Sequence, residues 1–128
     1  MEYFAIGLFA LFTVKHIVAD YILQFSWMIR DKGFYGEIGG IAHSGMHAFL
    51  TLFVLLLANT GLHIILLTIL SILDGVIHYH VDWVKSNIWR EKKYTSQDQM
   101  YWITHGIDQG LHFLTYVLII TIVIWRLI

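Results

Sequence analysis

"KHIVAD", residues 15–20, interrupts the first strongly apolar stretch of the chain. The surrounding segment reads as membrane-buried, yet Lys15, His16 and Asp20 fall within six residues of one another. His16 and Asp20 are four apart, the spacing that stacks two side chains on one face of a helix. The same spacing recurs as His43/His47, His78/Asp82 and Asp108/His112. The placement of these four pairs decides both the fold and the chemistry to be expected.

The 128 residues suit one domain, 1–128. They are 58% hydrophobic and 13% charged, against about 25% charged in a soluble domain. Mean hydropathy is +0.67. The formal net charge is −1, and no basic stripe or arm marks a nucleic-acid partner. Cysteine is absent, which excludes disulfides, thiolate metal sites and a cysteine nucleophile. Proline is absent too, which favours unbroken helices. No Asp, Glu, Lys or Arg occurs between Ala48 and Leu73, or between Phe113 and Trp125. Such runs, extended by their partly polar neighbours, reach the roughly 20 residues that cross a bilayer. The start, Met1-Glu2-Tyr3, lacks a cationic flank and reads as a retained helix rather than a signal peptide. The competing reading is a soluble, very apolar helical bundle.

The pattern predicts an all-α, integral membrane, up-down four-helix bundle. Its helices run roughly over Tyr3–Met28, Ile41–Ala58, Leu62–Asn87 and Met100–Arg126. A Gly-rich link, the turn Asn59-Thr60-Gly61 and the polar stretch "WREKKYTSQDQ" (89–99) separate them. Polar residues sit at the C-terminal ends of the first and third helices and at the N-terminal ends of the second and fourth. In an up-down bundle all four polar halves therefore meet at one end. Arg30, Lys32, Lys85, Arg90, Lys92 and Lys93 lie near that end. The positive-inside rule then puts the polar end at the cytoplasmic face, with both termini on the non-cytoplasmic side. Trp27, Trp83, Trp89 and Trp102 suit an aromatic belt at the inner boundary, as in a bacterial inner membrane.

Brought together, the four pairs supply five imidazoles and three carboxylates: His16, Asp20, His43, His47, His78, Asp82, Asp108 and His112. A bare charge at the membrane centre costs about 2.5–3.5 kcal/mol even on lenient scales, and bound cations offset that cost. Eight such ligands suit two divalent ions with open positions, in the manner of carboxylate-bridged dimetal bundles. Nitrogen and oxygen donors without thiolate point to zinc first, with iron or manganese as alternatives. Without an ion, the same residues would form a hydrogen-bonded network or an ion pathway.

Asp74 stands four before His78 and is expected to orient that ring or to ligate metal itself. Asp74, Lys85 and His105 are the candidate catalytic residues. Lys15 and Lys85 are read either as holding an anionic group of a substrate or as snorkelling to headgroups. Gln24 shares the Asp20 face, and Gln109, about 100° from Asp108, is read as structural. His63 is expected at the opposite interface and His80 on another face.

"KHIVADYILQ" (15–24), "HSGMH" (43–47), "HYHVDWVK" (78–85) and "DQGLH" (108–112) resemble a family of small bacterial and phage integral membrane proteins catalogued as a domain of unknown function. That resemblance implies a four-helix membrane fold over nearly the whole chain. "AHS" (42–44) and "HYHVD" (78–82) are more weakly similar to membrane-bound metal-dependent hydrolases.

Three functions fit. The first is a metal-dependent hydrolase acting at the cytoplasmic leaflet on an amphipathic or lipid-linked substrate. The second is a di-iron lipid redox enzyme. The third is non-enzymatic metal or proton transport, or a structural metal-binding membrane protein. The bilayer is the expected partner in each, with a homo-oligomer allowed.

Overall fold

A computed structural model describes all 128 residues, Met1 to Ile128. α1 (Glu2–Ile17) runs into one π-helical turn at Val18–Ile22, closed by Leu23 N–H donating to the Val18 carbonyl at 2.9 Å. α2 (Ser26–Asp31), α3 (Ile38–Leu57), α4 (Ile64–Lys92) and α5 (Gln99–Leu127) follow, and there is no strand. Counting α1 with its π turn, four helices are long and apolar enough to cross a membrane. A 20-residue helix rises about 30 Å, the thickness of a bilayer's hydrocarbon core.

The four long helices form a ring. α1 and α4 each pack against α3 and α5, while the backbones of the diagonal pairs stay apart. Only side chains cross the middle. One half of the bundle has an apolar core in which Leu8, Phe12, Leu55, Leu67, Tyr116 and Ile119 are buried. The other half is filled by charge. Fourteen of the thirty buried residues are polar or charged, whereas Ile6, Phe9, Phe49, Phe53, Ile65 and Ile72 face outward. A water-soluble bundle would bury the second set and expose the first. This arrangement suits a hydrocarbon surround.

The expected first helix, Tyr3–Met28, is corrected by the structure: it stops at Ile22. The Gln24 side-chain amide donates to the Asp20 carbonyl at 2.9 Å, satisfying one of the acceptors a helix end leaves open. Phe25 then turns extended, with φ −83° and ψ 157°. The chain doubles back as α2 and lies on the start of α3. Gly39 makes that approach achievable, since a Cβ there would meet Asp31 Cβ at 2.6 Å and the Trp27 carbonyl at 2.9 Å.

The other boundaries shift less. α3 begins at Ile38, three residues before Ile41. α4 runs past Asn87 to Lys92, so the first part of the 89–99 stretch is helix. Lys93 closes it in the left-handed conformation. His63 caps the start of α4, its Nδ1 accepting from Ile65 N–H at 3.2 Å.

α3 and α4 make their closest approach at Gly75, where a Cβ would meet Ala48 Cβ at 2.9 Å and the Ser44 carbonyl at 3.0 Å. Gly45, on the same helix pair, has nothing within 4 Å of its would-be Cβ. Gly75→Leu should therefore lower the melting temperature in detergent, with an overpacking cost of about 1–3 kcal/mol, while Gly45→Leu should leave it nearly unchanged. Equal melting of the two variants would show that the helices are not packed this closely.

Candidate functional site

One fully enclosed polar contact is a diagonal ion pair. Lys15 Nζ on α1 reaches across the bundle to Asp74 Oδ2 on α4 at 2.7 Å, with both side chains almost wholly enclosed. Thr51 Oγ1 on α3 donates to the same carboxylate oxygen at 2.6 Å. Lys15 also donates to His47 Nδ1 at 3.1 Å and to the Tyr116 hydroxyl at 3.4 Å. Headgroup snorkelling is thereby excluded for Lys15, and Asp74 is corrected from partner of His78 to partner of Lys15 and Thr51.

One layer toward the polar end, imidazoles converge on Asp20, which the π turn presents to the bundle interior. Asp20 Oδ1 lies 2.9 Å from His47 Nε2, 3.1 Å from His43 Nε2 and 3.9 Å from His78 Nε2. His43 Nε2 and His78 Nε2 are themselves 3.0 Å apart. Tetrahedral zinc with ligands at about 2.0–2.1 Å sets its donor atoms roughly 3.3 Å from one another, which these spacings bracket. Two ring nitrogens face to face can share only one proton. The outer Nδ1 atoms of His43 and His78 are buried without a partner. Asp20, His43, His47 and His78 therefore form a group able to hold a metal ion.

His78, Asp82 and His112 form a second such group. It differs from the first in its neighbours. Lys32 Nζ lies 2.5 Å from Asp82 Oδ2, and Lys85 Nζ lies 3.2 Å from Asp82 Oδ1 and 2.8 Å from Asp108 Oδ2. Three ammonium groups thus serve Asp74, Asp82 and Asp108, while Asp20 has only imidazoles around it.

All eight residues expected as ligands are gathered at one level, and six of them fall into the two groups. His16 stands beside the first: its Nε2 lies 3.3 Å from Asp20 Oδ2 and 2.9 Å from Gln109 Oε1, and its Nδ1 is 2.8 Å from the Tyr116 hydroxyl. Asp108 stands beside the second, its Oδ1 3.5 Å from His112 Nε2. Gln109 joins the two, because its amide also donates to Asp108 Oδ2 at 3.0 Å. Lys85 lies within the network, whereas His105 lines a pocket next to it with its Nδ1 buried and unpartnered. His80 points away and sits near Tyr35.

Sequence reasoning overlooked Thr51, Tyr116 and Lys32. The first two carried a signal, since Thr51 is four after His47 and Tyr116 four after His112. Each prolongs a polar face already identified. Lys32 carried none, because its reach to Asp82 depends on the reversal at Leu23–Phe25.

Fold and site together define an apolar four-helix bundle with a buried His/Asp cluster able to hold metal. The chain belongs to the family described as "Protein of unknown function (DUF3307)", whose model matches residues 8–128. No curated protein and no solved structure matches it.

Removing one member of a buried pair strands the other, at about 3–5 kcal/mol. Lys15→Met and Asp74→Leu should each destabilise the purified protein strongly, and the double variant should recover most of the loss. Thermal unfolding in detergent tests this, and a double variant as unstable as the sum of the singles would contradict the pairing.

Proposed function

We propose that residues 1–128 form one membrane domain that acts as a metal-dependent hydrolase on an amphipathic or lipid-linked substrate. The observation that carries this reading is the convergence of three imidazole nitrogens and one Asp20 oxygen at ligand spacing, beside a pocket open at the polar end. A bound ion supplies a Lewis acid that polarises a phosphoryl or acyl oxygen and lowers the pKa of water. Zinc suits the donor set best, since imidazole and carboxylate without thiolate also serve known hydrolytic zinc sites.

The chain's own residues have separable tasks. His43, His47 and His78 offer neutral nitrogen donors, and Asp20 the negative charge. His16, braced by Tyr116 and Gln109, orients the second oxygen of Asp20. Lys32 and Lys85 neutralise Asp82 and Asp108 and keep that side of the site from repelling an anionic substrate. His105, on the pocket wall with its Nδ1 unpartnered, is the candidate for moving a proton to or from the substrate.

Charge argues for one ion rather than two. The four deepest carboxylates face three ammonium groups, and the uncompensated negative charge belongs to Asp20. An ion in the second group would compete with the first for His78, and with Lys32 and Lys85 for Asp82. This count also disfavours a di-iron redox centre. For orientation, the exposed Arg30, Arg90, Lys92 and Lys93 at the polar end favour a cytoplasmic-facing site in a bacterial inner membrane.

A second reading rests on Lys15. When its ammonium donates to His47 Nδ1, His47 Nε2 carries the proton and donates to Asp20. With an ion on Nε2 the proton must sit on Nδ1, and Lys15 must direct its donors to Asp74 and Tyr116 instead. The arrangement without an ion is a hydrogen-bonded network suited to proton movement.

Elemental analysis of detergent-purified protein separates the two. The hydrolase reading expects one tightly held zinc per chain, lost in His47→Ala and Asp20→Asn and kept in Asp108→Asn. No metal in wild type, even after reconstitution with zinc, iron or manganese, would overturn it and leave the proton network.

A further inference from the structure

The pocket at the polar end is built from four parts of the chain: the end of the π turn, the α2 reversal, the last turns of α4 and the first turns of α5. Its volume is about 460 Å³, within the roughly 300–1,000 Å³ of small-molecule sites. Asp20 forms part of its wall, so the pocket abuts the imidazole cluster. Four cations line it, Arg30, Lys32, Lys85 and Arg90, against that single carboxylate.

The four cations are not equivalent. Lys32 and Lys85 are spent on Asp82 and Asp108. Arg30 uses only its Nε, on neighbouring Asp31 at 3.0 Å. Arg90 uses Nη2 on Asn87 at 2.6 Å and rests over the Phe34 ring at 4.2 Å. A guanidinium has five N–H donors, so both arginines keep several free. Phe34 holds Arg90 in place, which reduces the entropy lost when a ligand is bound. Two further groups in the pocket want partners: Gln24 Oε1, an acceptor, and His105 Nδ1 are both buried and unpaired. The ligand that fits is anionic, with several oxygens for two planar forks and an N–H or O–H for Gln24. A phosphate meets the first requirement better than a carboxylate, because two guanidinium groups exceed what one carboxylate can accept.

Exposed apolar residues continue from the rim: Tyr21, Ile29 and Phe34 line the pocket and face outward. An acyl chain can leave along them while its headgroup stays inside. We propose that this pocket binds a phosphate-bearing headgroup through Arg30 and Arg90, which sets the phosphate beside Asp20. That the bound group is also the substrate rests on the hydrolase reading above; the binding itself does not.

The test is lipid binding by the full-length chain in detergent, read by native mass spectrometry, with phosphatidate and diacylglycerol as a matched pair. Phosphatidate should form the adduct, and diacylglycerol should not. Arg30→Gln/Arg90→Gln should weaken phosphatidate binding at least tenfold with melting temperature and metal content unchanged, since both side chains lie at the surface. Equal retention of the two lipids, or full binding by the double variant, would overturn the proposal. Inorganic phosphate distinguishes the sources: displacement of the lipid would show that phosphate alone is recognised, and failure to displace it would show that the acyl chains contribute. Either result upholds a phosphate-reading site. Wild-type protein that takes up no metal even after reconstitution, yet still binds phosphatidate, would sink the hydrolase reading but keep this one. Metal-loaded protein indifferent to the phosphate would do the reverse.

Discussion

The Lys15–Asp74 pair sets the constraint under which the rest of the bundle is built. Two opposite charges meet at 2.7 Å in the middle of a helix ring, where neither can reach water and neither could persist alone. Charge in such a setting is stable only when paired and hydrogen-bonded. The pair therefore fixes how far α1 and α4 can rotate or slide past each other, although their backbones do not pack together. Thr51 from α3 and Tyr116 from α5 close on the same pair, so all four long helices are registered by one contact. Because Lys15 also touches His47, that register is passed directly to the imidazole cluster above.

The division of the bundle into halves follows from the same physics. In hydrocarbon, burying another leucine gains little, since lipid tails are as apolar as the core; polar contacts and close approach hold helices together instead. The apolar half relies on stacked rings such as Phe12 and Tyr116, 5.0 Å apart, and on close approach at Gly75. The polar half relies on ion pairs and shared hydrogen bonds. Asp20 is the exception to the pairing rule, surrounded by rings that are neutral when deprotonated, and a cation is what that environment lacks. Both groups could hold an ion, and they differ in that lysines pair with Asp82 while no lysine pairs with Asp20.

The break in the first helix connects cluster and pocket. A straight helix through Met28 would leave Asp20 in an α-helical turn and carry Arg30 and Lys32 away from the bundle. The π turn instead presents Asp20 inward, and the reversal returns Lys32 to Asp82 and Arg30 to the pocket. π turns are frequent at functional sites because they re-aim a side chain at the cost of one irregular turn. Gln24 and Gly39 are the local devices that make the reversal workable, one by satisfying a carbonyl and the other by leaving room.

Much of this was legible in the sequence, because helical periodicity is a local property. Apolar runs, extended by their partly polar neighbours, pointed to the four spans, and the alternating polar ends led to the expectation that His16, Asp20, His43, His47, His78, Asp82, Asp108 and His112 meet at one end of the bundle. The same i, i+4 rule, carried one turn further, reaches Thr51 and Tyr116. What local spacing cannot contain is the rotation of each helix about its axis or the reach of a side chain across the ring. Only the tertiary structure decided that Asp74 answers Lys15 rather than His78, that His16 and Asp108 stand beside the metal-capable groups, and that Lys32 returns to Asp82. These choices are settled by charge pairing between residues far apart in the chain, after the helices have come together, and so no single stretch of sequence records them.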